Sequence, residues 1–222
     1  MSGTFPTSPG YASLALTSNQ PVIVSKSQSG KREARITSGH LWEMKVTFPP
    51  MLRAEFSPID VFMLAQGGEY GSFDIEYTIE NQGTWIADSA LVNGAVSAGE
   101  VFVNLNNLTP GNTAVAGDFL RFAGHNKAYR ILSTQTVNTA DAILIEGTTD
   151  RLLVEGTTDA LLVEDSNQIT VELYPALTND IANDEAVTHA NVMFHMAVTN
   201  VHEFKATAPQ LYRYELDLTE AL

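Results

Sequence analysis

The chain has 222 residues, no cysteine and a formal net charge of −14, with 26 acidic against 12 basic side chains. Lacking cysteine, it has no disulfide, thiol catalysis or Cys-based zinc site; its acidity opposes tight nucleic-acid binding, which needs Lys and Arg on phosphates. No run approaches the roughly 18 apolar residues of a bilayer span, and Met1-Ser2-Gly3-Thr4 does not open a signal peptide.

Residues 1–20 are rich in Ser, Thr, Pro and Gly, with Tyr11, Leu14 and Leu16 as isolated apolar points. They read as an extended N-terminal arm, either frayed or laid on a neighbouring subunit. Val22-Ile23-Val24 starts the first strand and pairs with Ala34-Arg35-Ile36 across a Ser29-Gly30 turn. The one basic cluster, Lys31-Arg32-Glu33-Ala34-Arg35, falls on this pair. From His40 to Phe48 apolar and polar residues alternate, which predicts a strand burying Trp42, Met44, Val46 and Phe48. Pro49-Pro50 ends it, because proline donates no ladder hydrogen bond. Ser57 as N-cap and Pro58 at the first helical position predict a helix over about 57–66, with Ile59, Phe62 and Met63 on one face. Gly67-Gly68 stops it, and Phe73, Ile75 and Tyr77 resume the strand period.

Further on, residues 80–84 form a turn, Val101-Phe102-Val103 a strand, and 104–112 a polar, turn-forming stretch. Residues 116–122 and 128–132 predict a hairpin closed by Gly124-His125-Asn126. A nine-residue repeat follows: Ile143-Leu144-Ile145-Glu146-Gly147-Thr148-Thr149-Asp150-Arg151, a second copy over 152–160, and a truncated third, Leu161-Leu162-Val163-Glu164-Asp165. Three apolar β-formers before each Gly-Thr-Thr-Asp turn predict a protruding meander. One glycine per unit sets it apart from calcium-binding β-rolls, which need two. Four last strands are predicted near 169–174, 191–198, 201–205 and 212–218, the last with Tyr212, Tyr214, Leu216 and Leu218 on one face.

The chemistry-bearing residues are sparse. His40, His125, His189, His195 and His202 have no metal-ligand spacing, so structural or surface roles are expected. Nucleophile-elbow, phosphate-loop, zincin and dinucleotide motifs are all missing. With 26 acids, carboxylate pairs are inevitable and carry no glycosidase signal. No catalytic, cofactor-binding or metal-ligating residue is therefore named. Trp42 belongs to an alternating core face; Trp85, Tyr70 and Tyr77 are the residues that could stack on a sugar.

Several pieces stand in a recognisable order: Arg35, Gly39 and Trp42; Pro49-Pro50-Met51 with Arg53-Ala54; Phe62 to Gly68 and Phe73; Gly117-Asp118-Phe119 with Phe122 and Lys127-Ala128-Tyr129-Arg130; Tyr174-Pro175; and Phe204 with Tyr212-Arg213-Tyr214-Glu215-Leu216-Asp217. This order resembles the distal tail and minor tail proteins encoded near the tail tip of tailed bacteriophages. It covers roughly 30–80, 110–132 and 168–218. Family members pass directly from the hairpin to the Tyr-Pro element, whereas this chain inserts its repeat between them.

The expected fold is all-β, a sandwich or barrel-like domain over 21–135 and 168–222 with one short helix, the 1–20 arm and a 136–167 insertion. The resemblance implies a non-enzymatic virion protein, made in the host bacterial cytoplasm and built into the tail. It would form a homomeric ring, commonly sixfold, between the tail tube protein and the tail-tip hub or baseplate, with no membrane or sequence-specific nucleic-acid partner and no cofactor. The acidic balance suits a DNA-conducting lumen. A capsid-decoration or neck protein is the alternative, and a carbohydrate-binding β-sandwich the second.

Overall fold

The computed structural model describes residues 3–37, 39–79, 81–137, 167–200, 204–206 and 211–222. The expected insertion and its repeat, from residue 138 to 166, lie outside the described residues, as does His202. The fold is all-β, with a single α-helix among the described residues. Its contacts divide the chain into two compact units, residues 1–76 with 193–222, and residues 77–192. The single main domain expected over 21–135 and 168–222 is thus two units, the second inserted between adjacent strands of the first.

Unit one begins with a departure from the expected arm. Phe5 is buried among Phe48, Phe62 and Phe73, with ring centroids 5.9, 5.5 and 5.7 Å away. Its N–H donates to the Asp74 carbonyl, and the Asp74 N–H to the Gly3 carbonyl. Strand β1 (Ser13–Asn19) then pairs along its whole length with β4 (Leu41–Thr47). Sequence composition made this segment look loose; one aromatic anchor and seven register pairs tie it down. Between these strands, β2 (Val22–Lys26) and β3 (Arg32–Ile36) form the expected two-stranded hairpin, and every residue of both is exposed.

Strand β4 buries Trp42, Met44 and Val46, as its alternation requires, and Phe48 follows, also buried. After β5 (Met51–Leu52), helix α1 runs Arg53–Gln66, four residues longer at its start than predicted. Ser57 is not its N-cap, and Pro58 sits inside the helix. The start is fixed earlier: Met51 and Leu52 are held in a ladder, and Glu55 accepts the Leu52 N–H at 3.0 Å. Pro58 removes the hydrogen bond to the Ala54 carbonyl, a loss that solvent offsets because Ala54 is exposed. Phe56, Ile59 and Met63 face the core, and Gly67, at φ 73°, takes the left-handed C-cap. Strand β6 (Ser72–Glu76) buries Phe73 and Ile75.

Unit two contains β7 (Leu91–Val92), β8 (Phe102–Asn106), β9 (Thr113–Ala114), β10 (Phe119–Phe122), β11 (Ala128–Ile131), β12 (Gln135–Thr136), β13 (Ile169–Tyr174) and β14 (Val187–Thr188). Six of them form one sheet in the order β14-β10-β11-β13-β8-β7. Its two end strands approach each other through a Leu91–Ala186 bridge and the Val187 N–H to Ala90 carbonyl bond, so the sheet nearly closes into a barrel. Trp85, Val103, Leu105, Phe122, Tyr129, Ile131, Val171 and Leu173 fill the interior.

The chain then returns to unit one as β15 (Met193–Val198), β16 (Phe204–Ala206) and β17 (Leu211–Glu220). The main sheet runs β1-β4-β17-β15-β6. Tyr214, Leu216 and Leu218 of β17 are buried as predicted, with Phe56 stacked on Tyr212 at 4.9 Å.

Candidate functional site

The described histidines hold structure together. His189 stacks on Trp85 at 4.2 Å and donates its Nε2–H to the Trp85 carbonyl. His125 pairs through Nδ1 with the Tyr129 hydroxyl at 2.8 Å, and His40 through Nε2 with Ser18. Among the described residues no three His, Asp or Glu side chains are grouped to hold a metal ion. Trp85, a sugar-stacking candidate by sequence, is fully buried; Tyr77 packs edge-on against Phe119 at 5.1 Å, and Tyr70 stands 93% exposed in unit one.

His195 has a sharper geometry. Its Nδ1 lies 2.9 Å from Asp74 Oδ1 and its Nε2 2.9 Å from Ser72 Oγ. In the neutral ring Nδ1–H donates to the carboxylate and Nε2 accepts the hydroxyl proton, which is the order of a nucleophile relay. The setting is different. His195 and Asp74 are ladder partners on β15 and β6, and Ser72 is two residues along on the same face. A flat strand does not lift a serine clear as a strand-to-helix elbow does. The row is a cross-strand polar network.

Two concavities stand out. The larger, about 480 Å³, is a shallow groove on unit one lined by Thr17, Glu43, Lys45, Thr199, Asp217 and Thr219. Its charges are already matched: Lys45 lies 3.6 Å from Glu215 and 3.7 Å from Asp217, and Glu43 accepts from Asn19. The smaller, about 150 Å³, lies in unit two between Tyr77, Ile79, Gln82, Phe119 and Arg130. Here the floor is rigid. Asn81 donates to the Phe119 and His189 carbonyls and accepts the Phe119 N–H. Asp118 accepts from the N–H groups of Gln82, Gly83 and Val115 and from Trp85 Nε1. Arg130 donates Nε–H to the Gly117 carbonyl and lays its guanidinium 5.3 Å over Phe119. Burial pushes the Tyr77 hydroxyl up, against the lowering pull of Arg130.

The third feature is the β2–β3 hairpin. Val22, Ile23, Val24 and Ile36 are 43%, 63%, 45% and 65% exposed. Lys26, Lys31, Arg32 and Arg35 lie on the same ribbon, four of the chain's 12 basic residues. No family model matches the chain, and no curated protein matches it significantly.

Proposed function

We propose that the chain is a structural subunit of a tailed-phage virion, forming a homomeric ring at the distal end of the tail between the tube and the tip hub or baseplate. The observation that carries the assembly part is the β2–β3 hairpin. Two isolated strands are marginal in water without a surface to pack on, yet these are exposed on both faces and carry apolar side chains there. Such a ribbon makes sense when a neighbour covers it. Its net positive charge on a chain of −14 favours the acidic body of a second copy. The solvent face of α1 and the 3-10 turn that follows it, Gly68–Tyr70, offer a matching patch, with Val61, Leu64 and Tyr70 exposed beside Asp60 and Glu69. A hairpin on one subunit meeting a different patch on the next is a heterologous contact, the kind that closes into rings. The placement in a tail rests on the ordered motifs described above.

Native mass spectrometry with negative-stain imaging tests the reading. A closed ring of one size is expected, and Ile23→Asp or Ile36→Asp on the hairpin should return it to monomers. A stable wild-type monomer that enters neither rings nor tail tubes would sink it. Antibody labelling of virions should mark the tail tip; label over the capsid instead would favour a decoration protein.

A further inference from the structure

We propose that one face of the β2–β3 ribbon, and not the other, lies along the outer face of α1 in a second copy of the chain, with its tip toward the helix C-terminus. The inference rests on the ring reading above and adds to it the face, the direction and the residues that meet.

The face follows from register. Cross-strand partners share a face, and successive residues of a strand alternate. Val22 pairs with Ile36, Val24 with Ala34 and Lys26 with Arg32, so these six side chains stand together. Ile23, Ser25, Glu33 and Arg35 stand on the opposite face, and Glu33 already lies 3.3 Å from Lys31. The first face is therefore segregated. It is apolar near the body, cationic at the tip and free of acids, and it leaves Ile23 and Arg35 for other surfaces of the ring.

Helix α1 has the complementary order. Phe56, Ile59, Met63 and Gln66 are buried, and a surface helix ordinarily turns charge to water on the opposite side. Here that side carries Ala54, Ser57, Pro58, Val61, Leu64 and Ala65, all exposed and all uncharged. Their spacing of three or four sets them in one stripe. Beyond it, the last turn has no basic residue, the exposed Glu69 follows, and the helix dipole is negative. Laying the apolar pairs on the stripe brings Lys26 and Arg32 to this end. The reverse direction would set them beside Arg53 and the positive end of the dipole. The lengths agree, since a five-residue strand spans about 17 Å and a 14-residue helix about 21 Å.

Both surfaces are exposed in the same chain, so neither covers the other, and a second copy supplies the match. An anionic lipid surface would also suit an apolar, cationic ribbon, but it repels a body of net −14.

The chain has no cysteine, so paired substitutions report the contact without background. Val24→Cys and Val61→Cys proteins, mixed, assembled and oxidised, should yield a disulfide between positions 24 and 61 by peptide mass spectrometry. Only two copies can form that link. Ile23→Cys in place of Val24→Cys should give at most about a tenth of the yield, because its Cβ points away. Arg32→Glu and Glu69→Lys should each raise the concentration at half-assembly about tenfold, and the two together should restore it. Equal yields from positions 23 and 24, rings without the 24-to-61 link, or no restoration overturns the proposal and leaves the ring reading standing. Binding to phosphatidylglycerol vesicles that Val24→Asp abolishes overturns it in favour of a lipid surface. A wild-type chain that forms no ring removes both the proposal and the reading beneath it.

Discussion

Asp118 gathers three backbone N–H groups and the Trp85 indole onto one buried carboxylate. Removing it strands buried donors, so Asp118→Ala should cost about 3 kcal/mol or more in urea unfolding, monitored by Trp fluorescence. A loss below about 1 kcal/mol would mean that water replaces the carboxylate. Gly83 is part of the same packing: a Cβ there would lie 2.4 Å from the Trp85 ring and 2.5 Å from the Thr113 carbonyl. Asp88 makes a pH-dependent prediction. Burial works to raise its carboxyl, but hydrogen bonds from Thr109 and Asn112 outweigh that and hold it below the usual range. With the folded value below the unfolded one of about 3.9, its stabilisation is present above that pH and lost as pH falls through the folded pKa. Asp88→Ala should therefore be weaker than wild type at neutral pH, by about 1 kcal/mol, with the gap closing in acid. At the alkaline end, burial and the Glu76 charge push Tyr11 up to about 12, and burial with Asp60 raises Tyr214 as well. Tyr11's stabilisation is complete below about pH 10 and is lost between there and about 12, while Tyr214's is likewise complete below about pH 10 and is lost as pH rises further. Phenolate absorbance and circular dichroism should change together in that window, and Tyr11→Phe should move the midpoint upward. Sequence could point to Asp118 through its Gly-Asp-Phe setting. Its donors lie mostly some thirty residues back, and that convergence belongs to the fold alone.

At the scale of elements, alternation made most of the sheet legible. Trp42, Met44, Val46 and Phe48 are buried as read, and so are Tyr214, Leu216 and Leu218. The helix start was not legible, because Ser57-Pro58 carries every local mark of an N-terminus. Tertiary contacts won: Leu52 is held against Leu211 in the ladder, and Phe56 packs between Tyr212 and Tyr214. Leucine has no side-chain acceptor to return, so only half of a reciprocal capping pair forms, through Glu55. Glu55→Ala should then cost about 0.5–1 kcal/mol, whereas Ser57→Ala should stay within about 0.5 kcal/mol. Thermal unfolding of the two variants separates the starts; the reverse order would restore Ser57 as the cap. The cleft residues were also only partly visible. Tyr77 was named from sequence, but nothing local says that Arg130 rides over Phe119; that takes the register of β10 and β11.

At the scale of the molecule, the insertion of unit two between β6 and β15 has a mechanical consequence. Glu76 and Met193, the last and first residues of unit one on either side, are register partners in one antiparallel ladder. The two ends that unit two joins are therefore as close as the ends of a hairpin, and unit one does not need the intervening 116 residues to bring them together. Unit two closes on itself in the same way, since the Tyr77 N–H donates to the Val192 carbonyl. Each unit also has its own buried aromatic centre: Phe5, Phe48 and Phe73 in one, with half-buried Phe62 packed against Phe5 and Phe73, and Trp85, Phe122 and Tyr129 in the other. Replacing residues 77–192 by Asn-Gly, the dipeptide that suits a two-residue hairpin, should thus leave a folded unit one. Because β2–β3 and α1 both remain in that variant, the assembly reading requires it to form the same ring by native mass spectrometry. A variant that folds, judged by near-ultraviolet circular dichroism, but stays monomeric would place the ring contacts in unit two and remove the hairpin from its assigned role.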